Sequence, residues 1–237
     1  MTVEQRIDRV RDRIDAARAR CGRSDEVTLE LAVKTRTAPV CQEAAQALAD
    51  RGLPVILGHN RVQEAQATEE AIRHVPGARI HLIGPLQTNK INHALACADL
   101  VETVGSPALV DALGLRAQRA GMKVPVYVQV NTSGEPSKHG CSPQDAPCLV
   151  EAVELCPSLR LEGFMTVGLN ADDEGAVRRS YALLRAIRDR SSERLAVPES
   201  DLALSMGMSA DLEWAIAEGA TLVRVGTDVF GPRPPIA

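Results

Sequence analysis

Lys34, Ser209, Arg224 and the pair Gly226-Thr227 are the residues of this chain whose types and placement could do chemistry together. A lysine amine becomes a nucleophile toward a carbonyl carbon once its pKa is lowered. Ser209 stands before a helical pattern carrying Leu212, Ala215 and Ile216 and stopped by Gly219. It is therefore the expected N-cap, with its hydroxyl and the following N–H groups able to hold an anion. Gly226-Thr227 follows an apolar run, a second place where backbone could meet a phosphate. In that run, period two puts Leu222, Arg224 and Gly226 on one face, so the arginine and the glycine point the same way. Taken singly, each has a plain alternative: a solvated strand-end lysine, a serine that only caps, a glycine that only turns.

What could bring them together is the order of elements. The stretch 29–35 alternates as a strand, with Leu29, Leu31 and Val33 on one face and Glu30, Ala32 and Lys34, with Thr28 before them, on the other. Lys34 then sits at the strand's C-terminal end. The eight apolar runs are 27–33, 55–57, 80–83, 100–104, 124–130, 159–165, 202–204 and 222–225. Helical patterns separate them, for example 62–72, 107–118, 145–154, 174–188 and 210–217, with a second helix from Pro39 to a Gly52 stop. An extra amphipathic helix over 2–20 precedes the first run, with Val3, Ile7, Val10, Ile14 and Ala17 in one stripe. This alternation predicts an α/β fold, a single (β/α)8 barrel of the TIM type over residues 1–237, with a doubly wound open sheet as the alternative. The tail 231–235 cannot continue a helix and is expected on the surface.

In such a barrel the strand ends form one mouth. There Lys34 would meet Gly58-His59-Asn60, His81, Met206, Ser209, Arg224 and Gly226-Thr227. The loops after the last two strands are the usual phosphate site of this architecture. A lysine facing a phosphate anchor is what a pyridoxal 5'-phosphate site requires, since the amine can condense with the aldehyde to a Schiff base. Arg224 against the pyridine nitrogen would disfavour its protonation, because two positive charges would meet, leaving a poorer electron sink.

Composition narrows the remaining classes. Two Phe, two Tyr and one Trp leave the core to Ala, Val, Leu and Ile. A net charge of -4 with both signs interspersed gives no footprint for nucleic acid. Cys21, Cys41, Cys97, Cys141, Cys148 and Cys156 are scattered without metal-ligand spacing and read as reduced thiols. No run reaches membrane-spanning length and no signal peptide is visible, so a cytoplasmic protein, without a membrane partner and monomeric, is expected.

Several segments closely resemble the pyridoxal phosphate homeostasis protein family: Ala32-Val33-Lys34-Thr35, 58–64, 81–90, Ser137-Lys138-His139-Gly140, 204–209 and 223–227. The resemblance spans nearly the whole chain. It implies a barrel similar to the N-terminal domain of alanine racemase, with the cofactor held on Lys34. It further implies that Ser209, Gly226 and Thr227 bind the phosphate, that Arg224 contacts the ring nitrogen, and that Asn60 and Met206 line the site. Lys138 would be a second lysine for cofactor transfer, with a solvated loop lysine as the alternative. Apo enzymes that use the cofactor would be the recipients. The chain departs from the family's common pattern at His59 and Arg61, beside Asn60, and at Val33, before the lysine. His59 is read as a surface loop histidine and His81 as structural.

The leading reading is a carrier active in vitamin B6 homeostasis, without fast turnover. A racemase or lyase with Lys34 as base is the competitor. A two-base racemase needs a second acid/base group, commonly a tyrosine. Here the tyrosines, Tyr127 and Tyr181, fall inside a predicted strand and a predicted helix. A third reading, a sugar-phosphate barrel enzyme, predicts no chromophore.

Overall fold

The computed structural model describes residues 1–169 and 171–232; positions 233–235 of the predicted surface tail lie outside the described residues. Eight strands form a closed barrel in chain order: β1 (Thr28–Ala32), β2 (Ile56–His59), β3 (Arg79–Leu82), β4 (Leu100–Val104), β5 (Val124–Gln129), β6 (Leu159–Met165), β7 (Ala203–Ser205) and β8 (Leu222–Val225). Each pairs in parallel with its neighbour. The ladder from Thr28↔Leu222 to Leu31↔Val225 joins the last strand to the first and excludes the open sheet.

The connecting helices are α2 (Ala38–Ala49), α3 (Val62–Arg73), α4 (Ile91–Cys97), α5 (Pro107–Arg119), α6 (Ala146–Glu154), α7 (Glu174–Leu195) and α8 (Leu212–Ala217), and α9 (Thr227–Phe230) follows β8. Pro39 lies in the first turn of α2, where its missing N–H costs no helical bond. Ser106 and Asp173 cap α5 and α7 by accepting from Leu109 N–H and Ala176 N–H. The extra helix α1 (Val3–Arg20) starts with a reciprocal Thr2–Gln5 capping box and buries Ile7, Val10, Ile14 and Ala17.

The main core lies between strands and helices. Outward-facing Leu29 and Leu31 of β1, and Val33 just beyond it, are buried with Leu48, Ile72, Leu113 and Leu184 from the helices. Each such side chain contributes about 1.5–3 kcal/mol by leaving water. Helix α7 outruns its predicted end at 188, stopping where Ala196 turns left-handed (φ 53°) just before Pro198. Composition alone did not announce the interior. Glu30, His81, Glu102, Ser205 and Arg224 come from five strands and are all buried; His81, Glu102, Ser205 and Arg224 bond across the lumen, and the Glu30 carboxylate stands 3.8 Å from His81.

Candidate functional site

At the C-terminal end of β1 the chain leaves the sheet. Val33 N–H still donates to Gly58 O at 3.0 Å. Thr35, two residues on, holds φ 59°. A β-branched residue rarely adopts that conformation, and such strain survives only where its surroundings impose it. Thr35 Oγ1 bonds the Lys34 carbonyl at 2.7 Å, locking the turn beside the lysine. Lys34 is half-buried there.

Lys34, Arg224, Ser209, Gly226 and Thr227 line one cleft of about 240 Å³, with Ala32, Arg36 and Met208 among the other walls. The shared face of Arg224 and Gly226, expected from strand period, is therefore realised. Gly226 brings β8 close to β1: a Cβ there would lie 3.1 Å from Ala32 O.

Ser209 reaches the cleft by a different route from the one expected. The N-cap of α8 is Asp211, so Ser209 does not cap that helix. Asp211 Oδ1 accepts from Met208 N–H at 2.7 Å, and its Oδ2 accepts from Tyr181 Oη at 2.8 Å. These bonds make 208–211 a turn of its own and delay the helix. Ser209 Oγ accepts instead from Asp228 N–H at 3.4 Å, tying the loop after β7 to the start of α9.

Arg13, which sequence reasoning missed, braces this corner from α1. It donates to Ser209 O at 3.0 Å and to both carboxylate oxygens of Glu213 at 2.8 and 2.9 Å, and it pairs with Asp228. No local signal marks it, because its partners lie 196 to 215 positions away.

Asn60 and Met206 are not among the residues lining the cleft. Met206 is fully buried, its N–H on Leu222 O at 3.1 Å. Asn60 is half-buried and packs its backbone on Gly84, where a Cβ would come within 2.1 Å of Asn60 O. Its Oδ1 is buried with no partner among the described residues. Lys138 lies half-buried in the loop between β5 and α6, its carbonyl accepting from Asn131 Nδ2 at 3.1 Å, also outside the cleft. Arg61 is exposed at the start of α3.

His59 corrects the surface reading. Strand β2 extends through it, and its side chain is fully buried against α3, with Nε2 3.2 Å from Thr68 Oγ1. Burial pulls its pKa down to about 4.

Beneath the cleft, His81 Nδ1 bonds Glu102 Oε1 at 2.9 Å and stands 3.8 Å from Glu30 Oε2. Gly58 makes room for that carboxyl, since a Cβ there would lie 2.1 Å from Glu30 Oε1. Burial and the Glu102 charge push Glu30 up to about 7. Burial opposes protonation of His81, but the two carboxylates outweigh it and lift its pKa to about 9. Burial likewise raises Glu102, yet His81 and Arg224 prevail and hold it below its ordinary value. Donor atoms of the three residues lie within 4.8 Å of one another, as around a cation. With Arg224 4.0 Å from Glu102, however, a metal ion would have to displace the His81 proton against a neighbouring positive charge.

The closed parallel barrel, with a lysine at the end of its first strand, falls in the class described as alanine racemase, N-terminal domain, whose family model matches residues 6–234. The pyridoxal phosphate homeostasis protein of Pseudomonas aeruginosa is 37% identical over 234 residues, covering 98% of this chain and 96% of the relative. The chain belongs to the pyridoxal phosphate homeostasis protein family, within that class. PipY of Synechococcus elongatus, solved with PLP bound, matches with a TM-score of 0.80 at 28% identity, over 97% of this chain and 100% of that one. Alanine racemase of Clostridium difficile, at 16% identity and a TM-score of 0.71 over 93% of this chain and 59% of that one, shows the shared barrel alone.

Proposed function

We propose that this protein binds pyridoxal 5'-phosphate and acts in its intracellular homeostasis, holding the cofactor and supplying it to apo enzymes rather than turning over amino acids. The observation that carries this is the convergence of Lys34, Arg224, Ser209, Gly226 and Thr227 on one cleft. Bound there, the cofactor would supply an electrophilic aldehyde and a ring able to accept electrons.

The Lys34 amine would be the group that tethers the cofactor through that aldehyde. The Ser209 hydroxyl and the backbone at Gly226-Thr227 would hold the phosphate. Arg224 would face the ring nitrogen as a donor, keeping that nitrogen unprotonated and the ring a weak electron sink. Asn60 Oδ1, buried and unpartnered, offers an acceptor, and Met206 and Lys138 remain candidates for the site's surroundings. A carrier role is supported further by the tyrosines. Tyr127 and Tyr181 are both buried, and neither lines the cleft as a second acid/base group. We read the chain as one domain acting as a cytoplasmic monomer; no described helix is long and apolar enough to cross a membrane.

Borohydride reduction of the loaded protein followed by peptide mapping tests the site. The adduct is expected on Lys34 and is lost in Lys34→Ala; an adduct on Lys138 alone would overturn the assignment. Rapid turnover of L-alanine or L-serine, abolished by Lys34→Ala, would instead establish the racemase or lyase reading.

A further inference from the structure

Arg224 is held from below by a chain of buried bonds that crosses the barrel. Its Nη1 donates to Ser205 Oγ at 2.5 Å and its Nη2 to Thr166 O at 2.6 Å. Ser205 Oγ in turn donates to Glu102 Oε2 at 2.5 Å, and Glu102 Oε1 accepts from His81 Nδ1. Arg224, Ser205, Glu102 and His81 are each at most 5% exposed, so no bulk water competes for these bonds. A guanidinium carries five N–H donors in a rigid plane. Two are used here, one on each terminal nitrogen, which fixes the plane and leaves the rest for the cleft.

We propose that Glu102, acting through Ser205, is the positioning residue of Arg224, and that the Glu30–His81 pair beneath it sets how much negative charge reaches the guanidinium. This rests on the cofactor reading for what Arg224 finally meets, but the positioning itself does not need a ligand. Without the Glu102 carboxylate, Ser205 loses the acceptor that orients its hydroxyl, and its lone pair no longer has to face Arg224. The charge also matters, because Glu102 is the anion nearest the guanidinium, with Nη1 4.0 Å from Oε2. The charged and titratable groups facing this anion are Glu30 on β1, His81 on β3, Tyr127 on β5 and Arg224 on β8; β7 contributes the Ser205 hydroxyl. His81 stays protonated through neutrality and shares the Glu102 charge with Arg224. Losing that proton in alkali would leave the carboxylate to Arg224 alone and change the pull on it.

The test compares wild type with Glu102→Gln and the milder Ser205→Ala by two measurements. The first is made without cofactor: hydrogen exchange at the Arg224 Nε–H, followed by ¹⁵N NMR and assigned by its loss in Arg224→Lys. Exchange is expected to quicken by about tenfold or more in both variants. The second is titration with pyridoxal 5'-phosphate by absorbance, where Kd should rise by about tenfold. Its dependence on pH above neutrality should flatten in Glu102→Gln, which a purely structural role would not produce. Unchanged exchange together with unchanged affinity in a folded variant would overturn the proposal, whatever the melting temperature. Should Glu102→Gln fail to fold, Ser205→Ala alone decides it. If wild type itself binds no cofactor while the Arg224 exchange still responds, the cofactor reading falls and the positioning role stands.

Discussion

Replacing His59 by Gln should flatten the acid limb of this protein's stability. The imidazole is fully buried, its Nδ1 has no partner among the described residues, and burial takes its pKa from 6.5 to about 4. The unfolded chain therefore takes up a proton at His59 as pH falls through 6.5, while the folded protein refuses it until about 4. Stability from this group is present above 6.5 and is lost as pH falls through that window. At about 1.36 kcal/mol per pKa unit the loss approaches about 3 kcal/mol. Glu30 acts with the opposite sign. Its folded pKa is raised from 4.5 to about 7, so its contribution is present below 4.5 and is lost as pH rises through 7. The two partly cancel in wild type, which is why the comparison with Glu30 intact in both proteins is needed. Gln retains an amide for Thr68 but cannot titrate. Urea unfolding followed by circular dichroism at intervals from about pH 7.5 to about pH 4.5 measures the difference. Wild type should lose about 2–3 kcal/mol more than His59→Gln across that interval. Parallel curves would refute the reasoning, since they would mean that solvent reaches the imidazole as it would on a surface loop.

Two further substitutions probe the corner that holds Ser209. Arg13→Ala removes the donors to Ser209 O, Glu213 and Asp228. It should lower stability by about 1–2 kcal/mol and weaken pyridoxal 5'-phosphate binding; wild-type affinity in an absorbance titration would show that α1 does not steady the anion site. Tyr181→Phe leaves Asp211 Oδ2, nearly buried, without its hydroxyl donor. The expected cost is about 1–3 kcal/mol in the urea midpoint, and an unchanged midpoint would mean that water replaces the hydroxyl.

Much of this molecule was legible in one dimension. Short Val/Leu/Ile runs alternating with amphipathic stretches can bury their apolar faces as parallel strands under helices, so the α/β class follows from local pattern, while closure over the open sheet is decided by the β1–β8 ladder. Period two on the first and last strands also aimed Lys34, Arg224 and Gly226 toward the mouth, because side-chain direction on a strand is a local property. Local pattern failed where partners are distant. Ser209 looked like a helix cap, but Asp211, bonded to Tyr181, starts the helix two residues later. His59 looked like a loop residue until α3 closed over it. The Glu30–His81–Glu102–Ser205–Arg224 chain and the Arg13 brace have no signature at all. Their members come from separate strands and helices, and only closure of the barrel brings them together, with Gly58 leaving space for Glu30 beside His81. The sequence determined which elements form and which way their side chains face; the tertiary structure decided which charges share a buried, low-dielectric space, and so how each titrates.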